Sequence, residues 1–213
     1  MRGKPAFNWR RAGVATEILH EMTLRKLAPR SPCLILLMGV AGTGKTTLAR
    51  EIIRRIHAVY LDNNHIADAF FPNTRNSLAY RELRPGFYRA LYAIAEANLR
   101  LGNSVLVDAP HTKEMQDREW RSYVKTLARE TDSALVVLRC VCSEKVLQTR
   151  LRRRGELRDE WKLAHWDEFL KGEPIRVRIP FSHLNIDTEN GSAKNVAAAV
   201  RYIRDRAVEA ARG

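Results

Sequence analysis

The chain lacks any long apolar run. Nowhere in its 213 residues does one approach the ~20 consecutive apolar positions a membrane helix needs, so no helical span is expected. Met1-Arg2-Gly3-Lys4-Pro5 offers none of the apolar stretch of a secretory leader, and the expectation is a cytoplasmic protein. Cysteine is scarce: Cys33, Cys140 and Cys142 are the three, each inside an apolar run. With no second Cys/His group at ligand spacing, the three read as buried thiols of a reducing compartment. Internal repeats and low-complexity linkers are also missing, which excludes a solenoid and argues for one α/β domain with decorations. Acids are in short supply. Asp and Glu number 24 against 37 Lys and Arg, a formal charge of +13, and a basic surface favours nucleotides, phosphorylated metabolites or nucleic acid. Residues 1–31 carry seven of the basic side chains against two Glu; a solvated face explains that excess.

What is present is a phosphate-binding signature. Gly39-Val40-Ala41-Gly42-Thr43-Gly44-Lys45-Thr46 is a full G-x-x-x-x-G-K-T match, and Thr47 follows. Glycines at these positions let the backbone turn tightly and bring N–H groups to a phosphate. Lys45 is then placed for the β- and γ-phosphates of ATP, and Thr46 for Mg²⁺. The flanks agree. Residues 33–38 are a short apolar run of buried-strand type, and residues 47–57 read as a helix whose N-terminus adds its dipole to the site.

Further along, 58–62, 104–108, 134–142 and 183–187 read as strands. Helices are expected over 10–28, from Pro85-Gly86 through Leu101, over 113–130, from the Ser143 cap into an arginine cluster, over 159–171, and from the Ser192 cap to the end. Phe87, Leu91, Ile94 and Ala95 share the inward face of the second of these, and Gly102 fits its C-terminal stop. Residues 63–84 read as polar and irregular. Strands alternating with helices predict a doubly wound parallel sheet with ligands at the strands' carboxyl ends.

Three acids stand where strands end. Asp108 closes an apolar strand and is placed to hold Mg²⁺ directly or through water. Asp62 is placed to accept the proton of an attacking hydroxyl; for both, the alternative is a cap or turn residue. Asp187 reads as a turn residue, or as one near the adenine. Asp108 is followed by Ala109 and Pro110 rather than Glu, which argues for transfer to a bound acceptor over motor hydrolysis. In the cluster at 150–154, Arg150, Arg153 and Arg154 share a helix face and Arg152 points elsewhere. The first reading is a lid, about 150–172, closing over the phosphates; the alternatives are a solvated helix end and contact with nucleic acid. His65, Arg75, Arg81, Arg84, Tyr88, Tyr92 and His111 are candidate acceptor contacts.

On Gly39–Thr46, Leu61-Asp62-Asn63-Asn64, Val105–Asp108 and Arg150 to Arg154, the chain resembles the P-loop kinases of small molecules and nucleic-acid ends. Gluconate kinase, adenylylsulfate kinase, chloramphenicol phosphotransferase, zeta toxins and polynucleotide 5′-kinase belong to that group, and many members are labelled only AAA family ATPase. The resemblance covers most of residues 33–190; residues 1–31 lie outside it, as an N-terminal helical extension before a domain at 32–213. It implies a five-stranded sheet of order 2-3-1-4-5 and an arginine-bearing lid. Such kinases often carry Leu-Asp-x-Asp after strand two. Asn64 stands in place of the second acid, so Asp62 inherits the base role alone. The resulting expectation is an ATP- and Mg²⁺-dependent phosphotransferase acting on a hydroxyl of a small molecule. Lys45, Asp62, Asp108, Arg150 and Arg153 would act in catalysis, and Thr46 and Asp108 at the metal. A polynucleotide or RNA 5′-end kinase and a non-catalytic ATP-binding regulatory module are the rival readings.

Overall fold

The computed structural model describes residues 26–73 and 75–212. Five strands, β1 (Cys33–Met38), β2 (Val59–Asp62), β3 (Val105–Asp108), β4 (Ala134–Val141) and β5 (Leu184–Asp187), form one sheet. Its order is β2-β3-β1-β4-β5 and every pairing is parallel. This is the doubly wound parallel sheet that the alternation of strands and helices predicts, in the order that the resemblance implies. Central β1 is buried along its whole length, because helices cover both faces of a parallel sheet. Cys33, Ile35 and Leu37 pack under α1 (Lys45–Ile53) and α8 (Ser192–Ala210). Leu34, Leu36 and Met38 pack on the other face, under α3 (Leu78–Arg100) and α4 (Arg118–Glu130). Each fully buried Leu or Ile contributes about 1.5–3 kcal/mol relative to exposure, so the strand that launches the phosphate loop is firmly held.

The helices depart from the sequence expectations in places that matter for the site. Within 63–84, read as irregular, Asn63–Phe70 forms α2, and α3 starts at Leu78 rather than after Pro85 and Gly86. The Ser77 hydroxyl caps α3 by accepting from the Tyr80 amide. Pro85 sits inside the helix and denies the Arg81 carbonyl its usual partner. Aromatic packing of Phe71 on Tyr80 and of Phe70, Phe71 and Tyr80 on Phe87 holds that first stretch helical. Ile94, expected inward, is exposed, while Tyr88, Leu91, Tyr92, Ala95 and Leu99 form the buried stripe. Gly102, at φ +81°, ends the helix as expected, with Asn103 N–H donating to the Asn98 carbonyl and Gly102 N–H to Leu99.

A 3₁₀ turn (Glu114–Gln116) and the Asp117 cap replace the first turn of the helix expected over 113–130. The helix expected over 159–171 is two: α6 (Leu157–Ala164) and α7 (Trp166–Gly172), after α5 (Glu144–Arg154). The cap of α8 is Gly191, at φ +58°, and not Ser192. The helix expected over 10–28 falls mostly outside the described residues. At its far end Leu27 is not helical but bridges Ile56.

Candidate active site

The carboxyl edge of the sheet gathers the phosphate loop and the acids that end strands. Gly39 takes φ +138°, and a Cβ there would lie 2.6 Å from the Cys140 carbonyl oxygen and 2.7 Å from Thr43 Oγ1; only glycine fits. The loop closes on itself. The Val40 carbonyl accepts from Thr43 Oγ1 at 2.8 Å and from Lys45 Nζ at 3.1 Å. Gly39 N–H donates to the Pro110 carbonyl, which ties the loop to the end of β3. Gly44, at φ +86°, caps α1 with no side chain, so the first-turn amides of Lys45, Thr46 and Thr47 are left for a ligand, where the helix dipole favours an anion. Cys33 and Cys140 are buried free thiols. Burial pushes both up to about 12, which leaves them without nucleophilic character.

Asp62 and Asp108 are direct register partners across β2 and β3, and both are buried. Thr46 Oγ1 donates to Asp108 Oδ2 at 2.8 Å. Burial raises the Asp108 carboxyl above its ordinary value, and Asp62 adds to the rise; the Lys45 charge and the bonds from Thr46 and Tyr60 oppose it. Asp62 divides its oxygens. Oδ1 accepts from the Asn64 amide and so caps α2, while Oδ2 faces Tyr60. The Tyr60 hydroxyl lies 3.2 Å from Asp62 Oδ2 and 3.1 Å from Asp108 Oδ2. Burial, with the two carboxylates, drives its phenol above the usual range, so it stays a donor. Tyr60 was missed in the sequence because a strand tyrosine reads as packing; its place two residues before Asp62, on the same side of the strand, was the available signal.

A cleft of about 1280 Å³ opens at this edge. Lys45, Thr46, Thr47, Asp62 and Asp108 line it, as do Arg150, Arg153 and Arg154 but not Arg152. The three arginines differ in their partners. Arg150 donates to Thr188 Oγ1 at 2.8 Å and to the Thr188 carbonyl at 2.7 Å, beside Gly44. Arg154 pairs with the buried Asp159, which Lys162 also reaches. Arg153 makes no hydrogen bond or ion pair with the described residues.

Of the candidate acceptor contacts, His65, Arg75, Arg81, Arg84 and Tyr88 line the cleft. Tyr92 and His111 do not. They are buried in the core, joined by a 2.9 Å bond between Tyr92 OH and His111 Nε2. Burial lowers His111 to about 4, and it is neutral at physiological pH. Its backbone, at φ +55°, makes the turn after Pro110. Arg84 lies 4.6 Å over the Tyr88 ring and pairs with Glu114 at 2.5 Å. Asn64, where a second acid was looked for, accepts from Arg75 at 2.8 Å. Asp187 is a turn residue, accepting from the Glu189 amide and the Asn190 side chain.

A family model described as an AAA domain matches residues 34–172. No curated protein matches the chain. Among solved structures, a provisionally named kinase from Chloroflexus aurantiacus is similar at a TM-score of 0.63 and 20% identity, over 81% of this chain and 99% of that one. A sugar kinase from Janibacter gives 0.61 and 17%, over 84% and 98%. The APS kinase of Mycobacterium tuberculosis, solved with AMPPNP and APS, gives 0.57 and 18%, over 82% and 99%. At these identities the likeness is one of fold.

Proposed function

The chain belongs to the AAA domain family, in its P-loop kinase-like form, and from that premise we propose that it is an ATP- and Mg²⁺-dependent phosphotransferase. It moves the γ-phosphate to a hydroxyl of a small molecule. One observation carries the reading: two carboxylates in register at adjacent strand ends, one bonded to the P-loop threonine and the other on the wall of the same cleft. That is a metal-side acid next to a base. Kinase neighbours of the same fold, one of them solved with AMPPNP, support it.

Lys45 and the amides of residues 39–47 hold the phosphates. The donor set of Thr46 Oγ1 and Asp108 Oδ2, hard oxygens 2.8 Å apart, fits Mg²⁺. Among the described residues no group of three or more His, Cys, Asp or Glu gathers, as suits an ion that keeps several waters and shares the nucleotide's oxygens. Bound there, Mg²⁺ would neutralise charge on the β- and γ-phosphates. Asp62 accepts the acceptor's proton through Oδ2, its Oδ1 being held by the α2 cap. Tyr60 donates between the two carboxylates and eases their repulsion. Arg150, tied to Thr188, holds the nucleotide; Arg153, on the lid formed by the end of α5 with α6 and α7, meets charge that develops in transfer.

The test is Lys45→Ala. Turnover, assayed against pooled metabolites, antibiotics and RNA 5′-ends, should fall by ~10²–10³ with the unfolding midpoint unchanged; near wild-type turnover would overturn the assignment. The charge of +13 favours a second reading, an RNA 5′-end kinase, whose mark would be RNA affinity falling steeply with salt.

A further inference from the structure

The cleft carries a charge arrangement to which the proposed mechanism gives no part. Asp68, on α2, binds two guanidiniums at once. Its Oδ1 accepts from Arg75 and its Oδ2 from Arg158 of α6, ninety residues away. Both arginine side chains are only 14% exposed, and both line the cleft. One carboxylate between two guanidiniums leaves a net charge of +1. Arg75 also bonds neutral Asn64. The partly exposed Glu156 pairs with Arg158 at 3.9 Å, but beside them Arg154 and Lys162 share the single carboxylate of Asp159, so the excess of one positive charge stands. Arg75 Nε, buried, has no partner among the described residues. Around the whole cleft cationic side chains outnumber carboxylates twelve to seven. The proposed mechanism gives Lys45, Arg150 and Arg153 to the nucleotide and leaves Arg75 and Arg158 without a part.

We infer that Arg75 and Arg158, organised by Asp68, form a subsite for an anionic group on the acceptor: a phosphate, sulfate or carboxylate borne by the same small molecule as the attacking hydroxyl. The inference rests on the phosphotransfer reading of the cleft. Two guanidiniums fixed on a shared carboxylate are preorganised donors, and planar forks suit tetrahedral and planar oxyanions. The Asp68 bridge ties α2 to α6 across the cleft, which favours a small molecule over a strand passing through. The volume agrees, since about 1280 Å³ exceeds the roughly 300–1000 Å³ of single-ligand pockets and accommodates two small molecules.

The experiment separates this subsite from the P-loop. With Mg²⁺ and AMPPNP saturating the full-length protein, inorganic sulfate is titrated by calorimetry. Wild type should bind it, and Arg75→Gln and Arg158→Gln should each weaken it by roughly tenfold or more, with AMPPNP affinity unchanged. Arg158→Lys, which keeps the charge and loses the fork, should fall between and guards against a folding defect. Turnover is then compared for matched acceptors with and without an anionic group, such as glycerol 3-phosphate against glycerol and gluconate against glucose, and should favour the anionic members. Sulfate affinity unchanged in both glutamine variants, turnover confined to neutral acceptors, or preference for a 5′-hydroxyl oligonucleotide would each overturn the subsite. Failure to bind AMPPNP would instead sink the phosphotransfer reading itself.

Discussion

Asp62 and Asp108 lie opposite one another at the ends of β2 and β3, yet their roles separate by what else each carboxylate holds. Asp62 caps a helix with one oxygen and turns the other toward Tyr60; Asp108 accepts from Thr46. Asp62→Asn keeps the cap, since asparagine caps as well as aspartate, and removes the basicity. It should leave Mg-ATP binding nearly intact while cutting transfer by roughly 10²–10⁴. Asp108→Asn should raise the Mg²⁺ requirement. Calorimetry of Mg-ATP binding with a turnover assay on both variants distinguishes them, and wild-type transfer by Asp62→Asn would move the base elsewhere, to Asp108 first.

Tyr60→Phe removes a donor shared by both acids. Asp108 already titrates above its ordinary value, and the Tyr60 bond is one of the forces holding it down. Without it the carboxyl rises further, so the acid limb of the turnover profile should move to higher pH. A limb that stays in place would exclude Tyr60 from the reacting set.

The two lid-side arginines should fail differently. Arg153→Ala, at a position without a hydrogen bond or ion pair among the described residues, should lower turnover far more than ATP affinity if its charge acts in the transition state as proposed. Arg150→Ala, which breaks the bonds to Thr188, should weaken ATP binding and turnover together. Equal losses in both variants would show that the two serve the nucleotide alike.

Acid stability should report on His111. Its folded pKa of about 4 lies below the ordinary 6.5, so the unfolded chain takes up a proton first as pH falls. Stability attached to the neutral ring is complete above about 6.5 and is lost as pH drops through that window toward 4, by about 3 kcal/mol in full. His111→Asn, which tolerates the left-handed backbone and does not titrate, should flatten this slope in denaturant melts between pH 7 and 4. An unchanged slope would mean that the ring takes up its proton alike in the folded and unfolded chain.

The sheet and the phosphate loop were legible because their signals are local. A parallel strand buried on both faces is a continuous apolar run, and the glycines of the loop are dictated by backbone geometry such as that of Gly39. The two acids at strand ends were legible for the same reason. The acceptor side was not. Pro85 and Gly86 carry a strong helix-breaking signal, and aromatic contacts formed only in the tertiary fold override it. The polar stretch that becomes α2 owes its start to Asp62, whose capping bond is indistinguishable in sequence from the base role proposed for it. Asp68 with Arg158, and Arg150 with Thr188, are partners set by topology across long separations. Tyr92 and His111 looked like site residues and pack in the core, since polarity alone does not say which way a side chain turns.

The Asp62–Asp108 pairing also has a bearing on durability. Two like charges are buried side by side at neighbouring strand ends, where a hydrophobic or amide pair would hold the sheet more firmly. That arrangement trades robustness for reactivity. Asp62→Asn and Asp108→Asn each relieve the repulsion, so both variants should outlast the native protein on heating.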